Sequence, residues 1–273
     1  MHEAILKRKS IRTYENTPLS ANDLNTIKLI MKDVEALKGP FNHSISLRIH
    51  TERIVDSMHP VKIGTYGFVT GASVFISGKC HHSFYGLIDF GYLFEYLILK
   101  LTEQNLGTVW LGGTFNRKDF SVHIKPDELI PAITPVGYIK TSRTARDKLI
   151  RKRSKGDERL PIETLFYQDD FDHPMSSIDA KQHHIYSLIR FAPSASNKQP
   201  WRFLIKNHMM HLYYAKTPKY ASFLNFDIQA LDLGIAICHM VLAFKHAIDD
   251  APLVFNDPLI KTDYTYIASL SLP

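Results

Sequence analysis

The chain has 273 residues, 45% of them hydrophobic and 22% charged, which supplies a packed core and excludes a disordered or fibrous chain. Its two cysteines, Cys80 and Cys238, are too few for a disulfide framework, and its longest apolar stretch, Tyr92 to Leu101, is too short and too interrupted by Glu95 and Lys100 to span a bilayer. The net charge of +6 gathers in two short clusters, Lys7-Arg8-Lys9 with Arg12, and Arg146 to Arg159, a footprint that suits a small anionic ligand better than a polynucleotide. In the opening segment the apolar part is confined to Ala4 to Leu6 and basic residues follow it, so no secretory signal is expected and a reducing cytoplasm is the natural compartment.

In chain order, Arg8 to Tyr14 follows a short helical stretch and sets guanidinium groups and the Ser10 hydroxyl close together. Such groups give charge-assisted hydrogen bonds to phosphate, although the same residues also suit a solvated basic terminus. Pro18 to Asp23 carries a Ser followed three residues on by an Asp, a helix-start pattern close to a capping box. Leu24, Ile27, Met31 and Val34 then recur at helical spacing. Ile45 to His50 and Phe68 to Ser77 read as strands. Leu87 to Gly91 opens a helix that is apolar nearly all round and therefore buried.

Leu106 to Gly113 comes next, with Gly107 placed to end that helix through a left-handed cap. Gly112-Gly113 exposes backbone N–H groups, in either a ligand-facing loop or a simple turn, and Trp110 suits core and stacking equally. Pro135 to Ile139 is a further strand. Pro174 to Asp179 starts another helix, with Ile185, Leu188 and Ile189 on its buried side. Ala192 to Trp201 is rich in small residues that allow close backbone approach to a flat ligand, or forms an ordinary helix-to-strand connection. Trp201 to Ile205 and Met209 to Tyr214 form a hairpin turned at Lys206-Asn207, before a second apolar helix from Ala230.

Two of these segments repeat. Pro18 to Asp23 matches Pro174 to Asp179 at an offset of 156, and Leu87 to Gly91 matches Ala230 to Gly234 at 143. The pairs keep their order and open similar helices, so the chain reads as two related, unequal halves, 1–165 and 166–273, the first about 13 residues longer between its helices. Helix-strand alternation with hairpins indicates an α+β fold with mixed or antiparallel sheets around central buried helices.

Taken together the segments resemble the nitroreductase/flavin reductase superfamily. Arg8-Lys9-Ser10-Ile11-Arg12 is similar to its Arg-Arg-Ser-Ile-Arg signature, and Ala192 to Trp201 to its Ala-Pro-Ser-x-x-Asn-x-Gln-Pro-Trp loop. Leu106 to Gly113 resembles its Gly-Thr-x-Trp-x-Gly loop, Pro135 to Tyr138 its Pro-Val-Gly strand, and Arg159 to Glu163 its Arg-Lys-Pro-Leu-Glu-Glu segment. Here the Asn loop follows the Pro-Val-Gly strand rather than preceding it, an order that resembles the putative TM nitroreductase family, in which two such halves are fused.

The resemblance implies one FMN per chain, held between the halves, in a monomer acting as a pseudo-dimer. Arg8, Ser10, Arg12 and Arg159 would hold the phosphate, and Lys9 would contribute through its backbone. Pro193, Ser194, Ala195 and Asn197 would line the flavin, and Trp110, Leu111, Gly112 and Gly113 would approach the ring. It also implies hydride transfer from a transient NAD(P)H to nitro, quinone or related small-molecule acceptors. No catalytic side chain is needed, because the flavin carries the chemistry. A flavin-binding protein without turnover, or another flavin reaction, remains open. No Gly-x-Gly-x-x-Gly follows a strand. Cys80-His81-His82 and the pair His208 and His211 do not complete a ligand set, so no metal is expected.

Overall fold

The computed structural model describes residues 1–51, 69–120, 124–141, 147, 149, 152, 158–176, 178–245 and 253–272. Phe68, Ser177 and the Arg146, Arg151 and Arg153 members of the second basic cluster lie outside the described residues. The fold is α+β, and the described residues form two five-stranded sheets and central buried helices.

The first sheet runs in the order β1 (Ser46–Thr51), β2 (Val74–His81), β5 (Ile133–Tyr138), β3 (Leu106–Thr108), and β4 (Glu128–Leu129) joins β2 off this path. All its pairings are antiparallel. The second sheet runs β6 (Phe166–Gln168), β7 (Trp201–Lys206), β8 (Met209–Tyr214), β10 (Thr265–Ser271), β9 (Leu253–Val254), with β6 parallel to β7. The expected second strand begins six residues late, at Val74, because Thr70 pairs with Thr13 in an isolated bridge instead of extending it. The hairpin turns at Asn207-His208, not at Lys206-Asn207. Both turn residues are left-handed (φ 51° and 57°), as a two-residue turn that follows strand twist requires.

Helix α2 (Ala21–Ala36) is capped by Ser20, whose Oγ accepts from the Asp23 N–H at 3.0 Å, and it buries Ile27, Met31 and Val34. The matching helix does not begin as the repeat suggests. Helix α5 (Ala180–Arg190) is capped by Asp179, three residues past the matching Ser176, because Asp179 and Gln182 complete a reciprocal capping box. Gly107 is likewise not a helix cap. Helix α3 (Phe84–Glu103) stops before Asn105, which takes the left-handed conformation (φ 58°), while Gly107 lies in β3.

Helices α3 and α6 (Ile228–Phe244) are buried along nearly their whole length and pack most extensively on each other. Their crossing falls on the repeated Asp-x-Gly motif. A Cβ on Gly91 would lie 2.1 Å from the Leu231 carbonyl oxygen, and one on Gly234 would lie 1.9 Å from that of Ile88. Each glycine thus admits the opposite backbone. Helix α1 (His2–Lys7) rests on α3, α5 and α6, and α4 (Ile162–Leu165) leads into the second sheet. No described helix is long and apolar enough to cross a membrane.

The crossing predicts that Gly234→Ala destabilises the fold by about 3 kcal/mol or more, since the added methyl meets rigid backbone. Gly113→Ala, whose new Cβ would find its nearest atom 3.6 Å away, is the control and should unfold at nearly the wild-type denaturant concentration.

Candidate functional site

After α1 the chain turns extended and runs beside the first sheet. Ser10 bridges Thr108, and the Ile11 N–H donates to the Thr108 carbonyl at 2.8 Å. Side chains therefore alternate, and Arg8, Ser10 and Arg12 share one face. All three line a cleft of about 840 Å³, measured with the open space at its mouth. Lys9 falls outside this lining and borders a second cavity with Lys7, Ile11 and Lys140, which Arg8 and Arg12 also reach.

The opposite wall is the loop after α5, followed by the first turns of α6. Pro193, Ser194, Ala195, Ser196 and Asn197 line the cleft. Ser196, Asn197 and Gln199 all carry positive φ (47°, 56° and 49°), a strained path that many contacts hold in place. The Ser194 Oγ accepts from the Gln199 N–H at 2.9 Å, and the Ala195 N–H donates to Asp232 Oδ1 at 2.9 Å. Gln199 is buried and structural, its Oε1 accepting from the Leu160 N–H at 3.0 Å. Asn197 donates through Nδ2 to the Glu158 carbonyl, and the Arg159 guanidinium donates to Asn197 Oδ1. This latch carries Arg159 into the cleft, 147 residues beyond Arg12.

The Leu106–Gly113 segment supplies Val109, Trp110 and Gly112. Leu111 instead pairs with Ile133 and is buried in a side cluster with Tyr14, Phe75 and Phe115. Gly113 sits at the surface beneath the ring of Phe223, which is 78% exposed. Trp110 is both core and lining. Its ring meets Phe94 edge-on, and its Nε1–H donates to Glu95 Oε2 at 2.7 Å.

Glu95, fully buried on α3, gathers three elements. Beyond Trp110, its Oε1 lies 3.0 Å from His239 Nε2 and 3.9 Å from Arg8 Nε. The other ring nitrogen of His239 faces the Leu188 carbonyl at 2.9 Å, so both nitrogens meet oxygen. Arg12 has its own counter-charge in Asp147 at 3.5 Å.

Sequence reasoning missed Val109, Ser196, Ile228, Leu231, Asp232 and Ile235 in the lining. The last four follow an i, i+3, i+4, i+7 stripe along α6. A helix apolar all round shows no preferred face, so the one available signal was a carboxylate at position 232 inside an apolar run.

The sequence matches the family described as Putative TM nitroreductase over residues 1–244. Among solved structures, it is similar to a putative nitroreductase from Thermotoga maritima MSB8, at 20% identity, covering 99% of this chain and 93% of that one, with a TM-score of 0.58. It is also similar to a putative nitroreductase in complex with FMN from Desulfovibrio desulfuricans (21% identity, 54% and 92% covered, TM-score 0.39). A putative NADH dehydrogenase/NAD(P)H nitroreductase from Parabacteroides distasonis ATCC 8503 matches at 21% identity, with 52% and 88% covered and a TM-score of 0.39. No curated protein matches.

Glu95→Leu strips acceptors from Trp110 and His239 and a counter-charge from Arg8, and should cost about 3–5 kcal/mol in denaturant unfolding. Glu95→Gln keeps an oxygen for the indole and should lose less than half as much.

Proposed function

The chain belongs to the putative TM nitroreductase family, and on that premise we propose that it is an FMN-dependent oxidoreductase passing hydride from NAD(P)H to nitro, quinone or related small-molecule acceptors. The observation that carries this reading is the meeting of Arg8, Ser10, Arg12 and Arg159 with the Pro193–Asn197 loop in one cleft.

The lining fits FMN chemically. Guanidinium groups and a hydroxyl match a doubly charged phosphate, while Val109, Trp110, Ile228, Leu231 and Ile235 offer apolar surface to a flat ring. Arg8, Ser10, Arg12 and Arg159 would hold the phosphate, with Glu95 and Asp147 holding Arg8 and Arg12 in place from behind. Pro193, Ser194, Ala195 and Asn197 would line the ring and ribityl chain, with Gly112 toward the N5 edge and Gly113 outside the lining, at the surface. The bound flavin would supply the hydride chemistry, so no side-chain nucleophile is required. Lys9 and Leu111, turned away from the cleft, would act at most through their backbone.

The same reading takes residues 1–165 and 166–273 as intertwined, duplicated halves with one FMN per chain. Support comes from the place matching the cleft at the offset of 143. There Tyr85 stands for Ile228, and Phe41 packs against it with ring centroids 4.4 Å apart and against Phe255 at 4.9 Å. An aromatic cluster at that place, where the cleft side has Ile228, supports a single site. We further propose a monomer that needs no nucleic acid or membrane partner, working in the cytoplasm, where its buried thiols Cys80 and Cys238 stay reduced.

Titration of the purified protein with FMN should saturate at one flavin per chain, and anaerobic NADPH or NADH should bleach the visible flavin band. Two flavins per chain would refute the composite site, and no binding would refute the flavin reading altogether. Arg8→Ala and Arg159→Ala should each weaken FMN binding by about 1.5–3 kcal/mol, roughly ten- to hundredfold. Lys9→Ala should change the affinity by less than about twofold, since it removes no charge-assisted contact of that size.

A further inference from the structure

The two central helices carry a carboxylate at matching positions, Asp89 on α3 and Asp232 on α6, one residue from the paired backbone contacts of the crossing. Both are buried. Each accepts a backbone N–H from the loop beside its helix: Asp89 Oδ1 from Phe41 at 2.8 Å, and Asp232 Oδ1 from Ala195 at 2.9 Å.

Their second oxygens differ. Asp89 Oδ2 accepts from the His43 N–H at 2.9 Å and meets His43 Nδ1 at 2.7 Å, so the protein closes that carboxylate completely. Asp232 Oδ2 is buried and has no hydrogen-bond partner among the described residues. Asp232 also lines the cleft, whereas the space beside Asp89 holds Phe41 and Tyr85. A buried carboxylate oxygen left without a partner carries a large desolvation cost, which a bound ligand or a retained proton offsets. The matched position away from the cleft has both oxygens satisfied, and the one that lines the cleft keeps an oxygen in reserve.

We propose that Asp232 is a ligand-binding residue of the cleft, presenting its Oδ2 as a hydroxyl donor to an acceptor atom of the isoalloxazine ring. This rests on the FMN reading above. Burial pushes the Asp232 carboxyl well above the usual carboxylate range, and like charge from Asp227 at the start of the helix adds to the effect, against the opposing Ala195 N–H. Arg8, Arg12 and Arg159 are the cationic groups lining the same cleft. A neutral carboxyl keeps Oδ1 as an acceptor for Ala195 and turns Oδ2 into a donor. Its donor role would favour flavin states that carry more electron density on the ring, without Asp232 exchanging a covalent bond.

The discriminating substitution is Asp232→Asn, which keeps an acceptor oxygen for Ala195 and puts an N–H donor in place of the hydroxyl. FMN dissociation constants, from quenching of flavin fluorescence, and the midpoint potential of bound flavin are measured for wild type, Asp232→Asn and Asp232→Leu. Asp232→Asn should bind FMN within about threefold of wild type, at a nearly unchanged potential. Asp232→Leu should bind roughly tenfold more weakly and shift the potential downward. If Asp232→Leu does not fold, Asp232→Ala takes its place with the same expectation.

Loss of affinity in Asp232→Asn equal to that in Asp232→Leu would overturn the donor role, and wild-type affinity and potential in both would overturn any contact. Wild-type protein that binds FMN in either case leaves the flavin reading standing. Wild-type protein that binds none overturns both.

Discussion

Two buried helices touch backbone to backbone where Gly91 and Gly234 meet the carbonyl oxygens of Leu231 and Ile88, and the rest of the molecule is arranged around that contact. No side chain larger than hydrogen fits there, so the helices approach as closely as their backbones allow. That proximity puts the start of α6 within reach of elements from the first sheet. Because both helices are apolar nearly all round, each is covered on its remaining sides, by α1 and α2 on one and by α1 and α5 on the other. The two sheets are then held outside this helical centre.

The cleft borders the same contact, since Leu231, whose carbonyl faces Gly91, is part of its lining. Its lining comes from chain segments at positions 8–12, 109–112, 159, 193–197 and 228–235. The extended run from Arg8 to Arg12 is positioned by β3, the Pro193–Asn197 loop by Asp232 and by the 158–160 segment, and Trp110 by Glu95. Charge is balanced behind the wall rather than in it. Glu95 and Asp147 sit against Arg8 and Arg12, which orders the guanidinium groups while leaving the cleft able to take an anion.

The positions that match in the repeated Asp-x-Gly motif differ in their surroundings. On one side Asp89 is saturated by the Phe41–His43 segment, and the Phe41 ring packs on Tyr85. On the other, Asp232 holds a small-residue loop with one oxygen and borders an open cleft.

Much of this was legible in the chain itself. The burial of both central helices follows from apolar residues on every face, and the α2 face follows from its helical spacing. The short motifs carry the family resemblance because each is a contiguous run of residues that can be read without knowing the fold. What sequence could not decide was set by contacts between distant segments. Asp179 displaced Ser176 as a helix cap because Gln182 could reciprocate, Asn105 displaced Gly107 at the end of α3, and Leu111 turned inward because Ile133 pairs with it. The stripe from Ile228 to Ile235 came to line the cleft through its position opposite the basic segment. Local pattern determined which residues could be helix, strand or ligand, and the close approach of two glycine-bearing helices decided which of them face one another, because only packing brings positions more than two hundred residues apart into one cavity.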